Sequence, residues 1–95
     1  MTPEGKVKEQ IKKILKFNDI WYYMPVSMGM GQHGIPDFLC CMEGHLLGVE
    51  AKAGKGKATG LQEMQMSRMR AAGATTFIIN EDNLGELESW VQQNK

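Results

Sequence analysis

Asp37, Glu50 and Lys52 are the residues of this chain whose types and spacing are best suited to act together. Asp37 follows Pro36 and opens a run of strand formers. Glu50 and Lys52 stand two apart in the next such run, so both point to one face of a sheet. If the two runs pair as a hairpin, Asp37 and Glu50 lie near its open end on neighbouring strands. Two adjacent carboxylates raise each other's pKa unless a cation sits between them. An all-oxygen donor set suits a hard ion such as Mg²⁺, held by one or two carboxylates with waters and substrate phosphates; Mn²⁺ fits the same ligands. Such an ion acidifies a water and stabilises charge on a reacting phosphate. Lys52 would orient the water or steady the charge of the transition state. Together these groups are equipped to hydrolyse a phosphodiester.

A plainer explanation competes at each position. Acid-x-Lys on a strand is ordinarily a solvated face. Here Leu46, Leu47, Val49, Ala51 and Ala53 make the strand apolar enough to be central, and charges on a central strand need a reason. At about 100° per residue, Glu4 falls on the same side of its helix as Val7, Ile11 and Ile14, whereas Glu9 falls opposite, with the lysines. Glu4 therefore points towards the sheet and could reach an ion directly or through water; equally, it is a first-turn acid that favours the helix dipole. His33, in a glycine-rich loop, is a weaker candidate for a general base. His45, after a turn, is expected to face solvent. Met64, Met66 and Met69 are adaptable core or interface residues first. Trp21, Tyr22 and Tyr23 could stack on bases, although strand packing should claim at least one face of that run.

These residues need a scaffold, and the pattern supplies one. Thr2-Pro3-Glu4 is a helix start, with Thr2 as cap, and the helix runs from about Pro3 to Phe17. Ile20 to Met24 reads as a strand, and Ser27 to Gly34 as a glycine-rich loop. Phe38 to Met42 and His45 to Ala53 read as strands joined by the Glu43-Gly44 turn. Gly54 to Gly60 is a second flexible loop. A helix from Leu61 to Ala72 stops at Gly73, Thr75 to Ile79 is a strand, and Leu84, Leu87, Trp90 and Val91 mark a final amphipathic helix. The order α-β-β-β-α-β-α predicts an α/β fold: one mixed sheet flanked by helices. With 95 residues and no linker, a single domain over 1–95 is expected, small enough to profit from a partner subunit.

Glu4, then Gly34-Ile35-Pro36-Asp37, then Gly48-Val49-Glu50-Ala51-Lys52, then Gln62 resembles the PD-(D/E)xK nuclease superfamily. Within it the chain resembles a stand-alone virus-type replication-repair nuclease (VRR-NUC) domain, of the kind similar to Holliday-junction resolvases. The Pro-Asp and Glu-x-Lys pieces are unspecific alone; their order, the glycine-rich lead-in and the matching helices carry the resemblance. It implies a restriction-endonuclease-like core with Asp37, Glu50 and the Ala51 backbone carbonyl as ligands of Mg²⁺. It also implies Lys52 as the catalytic lysine, Glu4 as the helix-one glutamate of the site, and Gln62 as a glutamine beside it. Gln65, one turn on, competes for that last role. The implied activity is that of a metal-dependent DNA endonuclease acting on branched DNA as a homodimer, in DNA repair or in phage replication. Ser27, Gln32, His33, Lys55 and Lys57, in the two loops flanking the site, could contact phosphates and so position DNA without reading its sequence; plain loops would look the same.

Composition sets outer bounds. Eleven basic and eleven acidic residues leave zero net charge, which is not the footprint of a protein that coats nucleic acid through bulk charge. The asymmetry permits a local basic face: Lys6, Lys8, Lys12, Lys13 and Lys16 cluster early and Lys52, Lys55 and Lys57 in the middle, while acids gather late. No apolar run is long enough to span a bilayer and no secretory leader is evident, so an intracellular location is expected, in a bacterial or phage-infected cytoplasm. Cys40 and Cys41 are neighbours that a strand points to opposite faces, so neither a disulfide nor a zinc site is expected. No small-molecule cofactor is called for. Two alternatives compete: a non-catalytic nucleic-acid-binding module that keeps the fold, and an assembly module, the latter favoured by the neutral charge and by the apolar stripe near the C-terminus.

Overall fold

A computed structural model describes residues 1–26 and 33–95. Helix α1 spans Pro3–Phe17, strand β1 Trp21–Tyr23, β2 Phe38–Met42, β3 His45–Ala51, helix α2 Gly60–Ala71, β4 Thr75–Ile79 and helix α3 Leu84–Gln93. The four strands form one mixed sheet in the order β1-β2-β3-β4. β1, β2 and β3 run antiparallel in succession, whereas β4 lies parallel to β3, because α2 carries the chain back across the sheet before β4 begins. The expected α/β mixed sheet flanked by helices is therefore what forms. No helix among the described residues is long and apolar enough to cross a membrane.

Local chemistry explains the boundaries. Thr2 Oγ1 accepts from the Gly5 amide at 3.0 Å and caps α1, with Pro3 in the first turn where its missing N–H costs nothing. The β2–β3 turn consists of Glu43 (φ 55°) and Gly44 (φ 77°), the pair of positive φ values of a type I′ hairpin. α2 stops just before Gly73, whose φ of 106° no residue with a Cβ adopts easily. Two strands are shorter than their apolar runs predict. β1 omits both Ile20 and Met24; the Ile20 amide returns to the Leu15 carbonyl at 2.9 Å and closes the helix end instead of joining the ladder. β3 stops at Ala51, opposite Ile79, because β4 ends there and the Lys52 amide takes the last carbonyl, that of Ile79, at 2.9 Å.

Each sheet face has its own cover. Val7, Ile11 and Leu15 of α1 and Leu87 and Val91 of α3 bury against Phe38, Cys40, Leu47, Val49, Ala51 and Ile79. Truncating a fully buried member such as Ile11 to alanine would cost about 2–5 kcal/mol. The opposite face receives α2, where Gly48 lets the helix approach: a Cβ there would come within 2.7 Å of the Met69 methyl. Period-two alternation sends Gly48, Glu50 and Lys52 to this second face, away from the main core. His45, expected in solvent, is half-buried, because odd positions of β3 face α3. Its ring lies 5.4 Å from that of Trp90, and its Nε2 is 2.8 Å from Thr75 Oγ1.

Candidate active site

The register of β2 on β3 pairs Phe38 with Val49, so continuing it by one residue sets Asp37 opposite Glu50. The strand ladder stops here and side chains replace its carbonyls. Glu50 Oε1 accepts from the Asp37 amide at 3.1 Å, and Asp37 Oδ2 accepts from the Ala51 amide at 2.8 Å. Each carboxylate thus grips the backbone of the other strand, leaving Asp37 Oδ1 and Glu50 Oε2 for other partners. The Lys52 amide is spent on Ile79 across the sheet. Through a trans peptide, the Ala51 carbonyl must then point the opposite way, towards Asp37.

Glu50 is buried, at 2% exposure, and it is not alone. Lys52 Nζ lies 3.4 Å from Glu50 Oε2, and the Gln62 side-chain amide donates to the same oxygen. Burial first, and then the negative charge of Asp37, push the Glu50 carboxyl up to about 7; Lys52 opposes the shift without cancelling it. A carboxylate held this far above its usual range, beside a second one, has an electrostatic deficit that a cation would fill.

The donor set therefore fits a hard divalent ion. Among the described residues no three acidic, histidine or cysteine side chains stand together. Two carboxylates and a backbone carbonyl are nevertheless about what a protein usually contributes to Mg²⁺, the rest of whose shell is water and phosphate.

Gln62 reaches Glu50 because of where its helix starts. Thr59 caps α2 by accepting from the Gln62 amide at 3.2 Å, and Gln62 Oε1 accepts from the Thr59 amide at 2.9 Å, a complete capping box. With Oε1 so fixed, Nε2 faces the sheet. Gln65, the competing choice, is buried one turn on, and its side chain donates to the His33 carbonyl at 3.5 Å. Gly34, at φ 85°, packs against the start of α2 so closely that a Cβ would lie 2.5 Å from the Leu61 carbonyl oxygen. The fully buried Pro36 follows, so both ends of the short segment delivering Asp37 are clamped.

Glu4 does not meet the carboxylate pair directly. Its Oε2 is 3.7 Å from Lys8 Nζ, and that ammonium lies 3.5 Å from Asp37 Oδ1. Lys8 is the neighbour that sequence reasoning missed by grouping the lysines on the far side of α1. A signal was present: Leu15, seven residues later and fully buried, lies only about 20° away around the helix, which puts Lys8 on the border of the apolar stripe.

The other candidates lie further out. Lys55 and Lys57 are exposed on the segment that joins Lys52 to the α2 cap, and His33 is exposed beside Gly34. Ser27 and Gln32 fall outside the described residues. On β1, Tyr22 packs its ring 5.9 Å from Phe38, while Trp21 and Tyr23 stand exposed on the face that also carries Glu50. Cys40 is buried, its thiol pushed up to about 12 by burial, and Cys41 is exposed; both are free, as their opposite facing requires.

No protein-family model matches the sequence, and no curated protein matches it. Among solved structures, one described as a VRR_NUC domain superimposes with a TM-score of 0.70 over 98% of this chain and 94% of that chain, at 22% sequence identity. The chain has the fold of a VRR_NUC domain, the fold that the Gly34–Asp37 and Gly48–Lys52 motifs imply.

Proposed function

We propose that the chain is a metal-dependent DNA nuclease whose site is Asp37, Glu50 and Lys52. One observation carries this reading: two carboxylates from adjacent strands face each other at the end of the ladder with a lysine ammonium 3.4 Å from the buried one. The VRR_NUC-like fold supports it by analogy of architecture.

Asp37 Oδ1, the Glu50 carboxylate and the Ala51 carbonyl would hold Mg²⁺, or Mn²⁺ in its place. When bound, the ion supplies Lewis acidity to the phosphate and to an attacking water. The protein's own groups do the rest. Gln62 donates to Glu50 and fixes which way that carboxylate turns. Lys52, whose ammonium is largely shielded from solvent, orients the water and offsets the charge that builds on the phosphoryl oxygens. Water attacks phosphorus, a P–O bond of the backbone breaks, and the leaving oxygen takes up a proton, with no covalent enzyme intermediate. Lys55, Lys57 and His33 on the flanking segments, with Ser27 and Gln32, would contact phosphates. A preference for branched DNA and action as a homodimer follow from the VRR-NUC resemblance and belong to the same proposal.

The test is a cleavage panel of single-stranded, duplex, flap and four-way substrates with each divalent ion, run beside a mass measurement in solution. Cleavage that requires Mg²⁺ or Mn²⁺, falls away in Asp37→Ala and favours branched substrates from a dimer is expected. Retained DNA binding with no cleavage under any ion would identify a binding module on this fold instead.

A further inference from the structure

We propose that Lys8 is a built-in counter-cation that competes with the divalent ion for Asp37 and gives way when a phosphate arrives. The inference rests on the metal-nuclease reading and assigns Lys8 a positioning role within it. Of the two Asp37 oxygens, Oδ2 is committed to the Ala51 amide at 2.8 Å. Oδ1 is the oxygen left to face a cation, and the Lys8 ammonium stands 3.5 Å from it. Glu4 Oε2, 3.7 Å from the same ammonium, gives Lys8 a second station on its own helix.

The placement has a structural cause. Val7 and Ile11, which flank Lys8 on α1, are buried in the core, so the base of the lysine stem is held rigidly over the end of the sheet. Its head is not rigid: the side chain keeps 32% of its exposure and ends on a flexible stem. An ammonium and a divalent ion at one carboxylate oxygen repel each other, so the ion binds weakly while Lys8 is there. A substrate phosphate offers the ammonium new acceptor oxygens. Drawing Lys8 away exposes Oδ1, so nucleic acid and metal should each tighten the binding of the other, as linkage requires. Coupling of this kind would weaken metal loading in the absence of DNA.

The experiment measures Mn²⁺ binding to the whole chain by electron paramagnetic resonance at low ionic strength. It compares wild type, Lys8→Met and Asp37→Asn, each with and without a nuclease-resistant phosphorothioate duplex, after thermal melts show that each variant folds. Without DNA, Lys8→Met should bind Mn²⁺ about fivefold more tightly than wild type, the upper end of what a partly exposed ion pair is worth. The duplex should tighten Mn²⁺ binding in wild type and do so much less in Lys8→Met. Equal or weaker Mn²⁺ binding by Lys8→Met, or equal enhancement by the duplex in both, overturns the role of Lys8 while leaving the metal site intact. Binding that survives unchanged in Asp37→Asn, or no binding by any of the proteins, overturns the metal reading itself.

Discussion

Gln62 serves two partners with one side chain: its Oε1 accepts from the Thr59 amide at 2.9 Å, while its Nε2 donates to Glu50 Oε2. The cap of α2 and the orientation of a buried carboxylate are thus one structural unit. A change at this position should be felt both in the helix and in the site.

The two roles separate by substitution. Gln62→Ala loses both contacts and should cost about 1 kcal/mol in denaturant melts. Gln62→Glu keeps the acceptor for Thr59, so the cap should survive, but it sets a third carboxylate against Glu50. Its metal-free melt should therefore fall more at pH 8 than at pH 5, whereas that of Gln62→Ala, which removes only a neutral donor, should show a smaller difference between the two. Equal pH behaviour of the two variants would detach Gln62 from Glu50.

Lys52→Ala should lower cleavage by about 10²–10³-fold, the usual loss on removing one group that stabilises developing charge. Because Lys52 is the cation nearest Glu50 Oε2, the same change should also raise the apparent pKa of the pH–rate profile. Single-turnover rates across pH check both points. A rate within a few-fold of wild type would remove Lys52 from the chemistry.

Stability without metal should fall as pH rises. The folded state keeps the Glu50 proton up to about pH 7, whereas the unfolded chain releases it near its ordinary value of 4.5. Below that value both states are protonated and nothing is lost. Between the two values only the folded state holds the proton, so stability declines, by up to about 3 kcal/mol once pH passes 7. Melting in chelator from pH 4 to pH 8 reads the slope, Glu50→Gln should flatten it, and Mg²⁺ should restore more stability at pH 8 than at pH 5.

Gly34→Ala should be among the more damaging single-methyl additions to this chain. The new Cβ would lie 2.5 Å from the Leu61 carbonyl oxygen, at a φ of 85° that already disfavours alanine. A loss of about 2–4 kcal/mol is expected, with lowered cleavage because Asp37 lies three residues further on. Gly44→Ala is the control: its φ is similar, at 77°, but nothing lies within 4 Å, so about 1–2 kcal/mol should go with no effect on cleavage. Chemical denaturation of both variants beside wild type distinguishes them.

Much of this protein was legible from one-dimensional periodicity. Glu50 and Lys52 share a face because strands alternate with period two, and Val7 and Ile11 share one because helices repeat near 3.6. Thr2, Glu43-Gly44 and Gly73 mark ends of elements through backbone preferences that act within a few residues. Three relationships were not legible. That Asp37 grips the Ala51 amide depends on the register of β2 on β3, which side-chain packing across the whole sheet selects. That Lys8 stands between Glu4 and Asp37 depends on how α1 lies over the sheet, and that His45 is half-buried depends on α3 covering the odd positions of β3. Periodicity assigns a residue to a face because it acts along one element; which groups meet across elements is decided only when distant segments share one core.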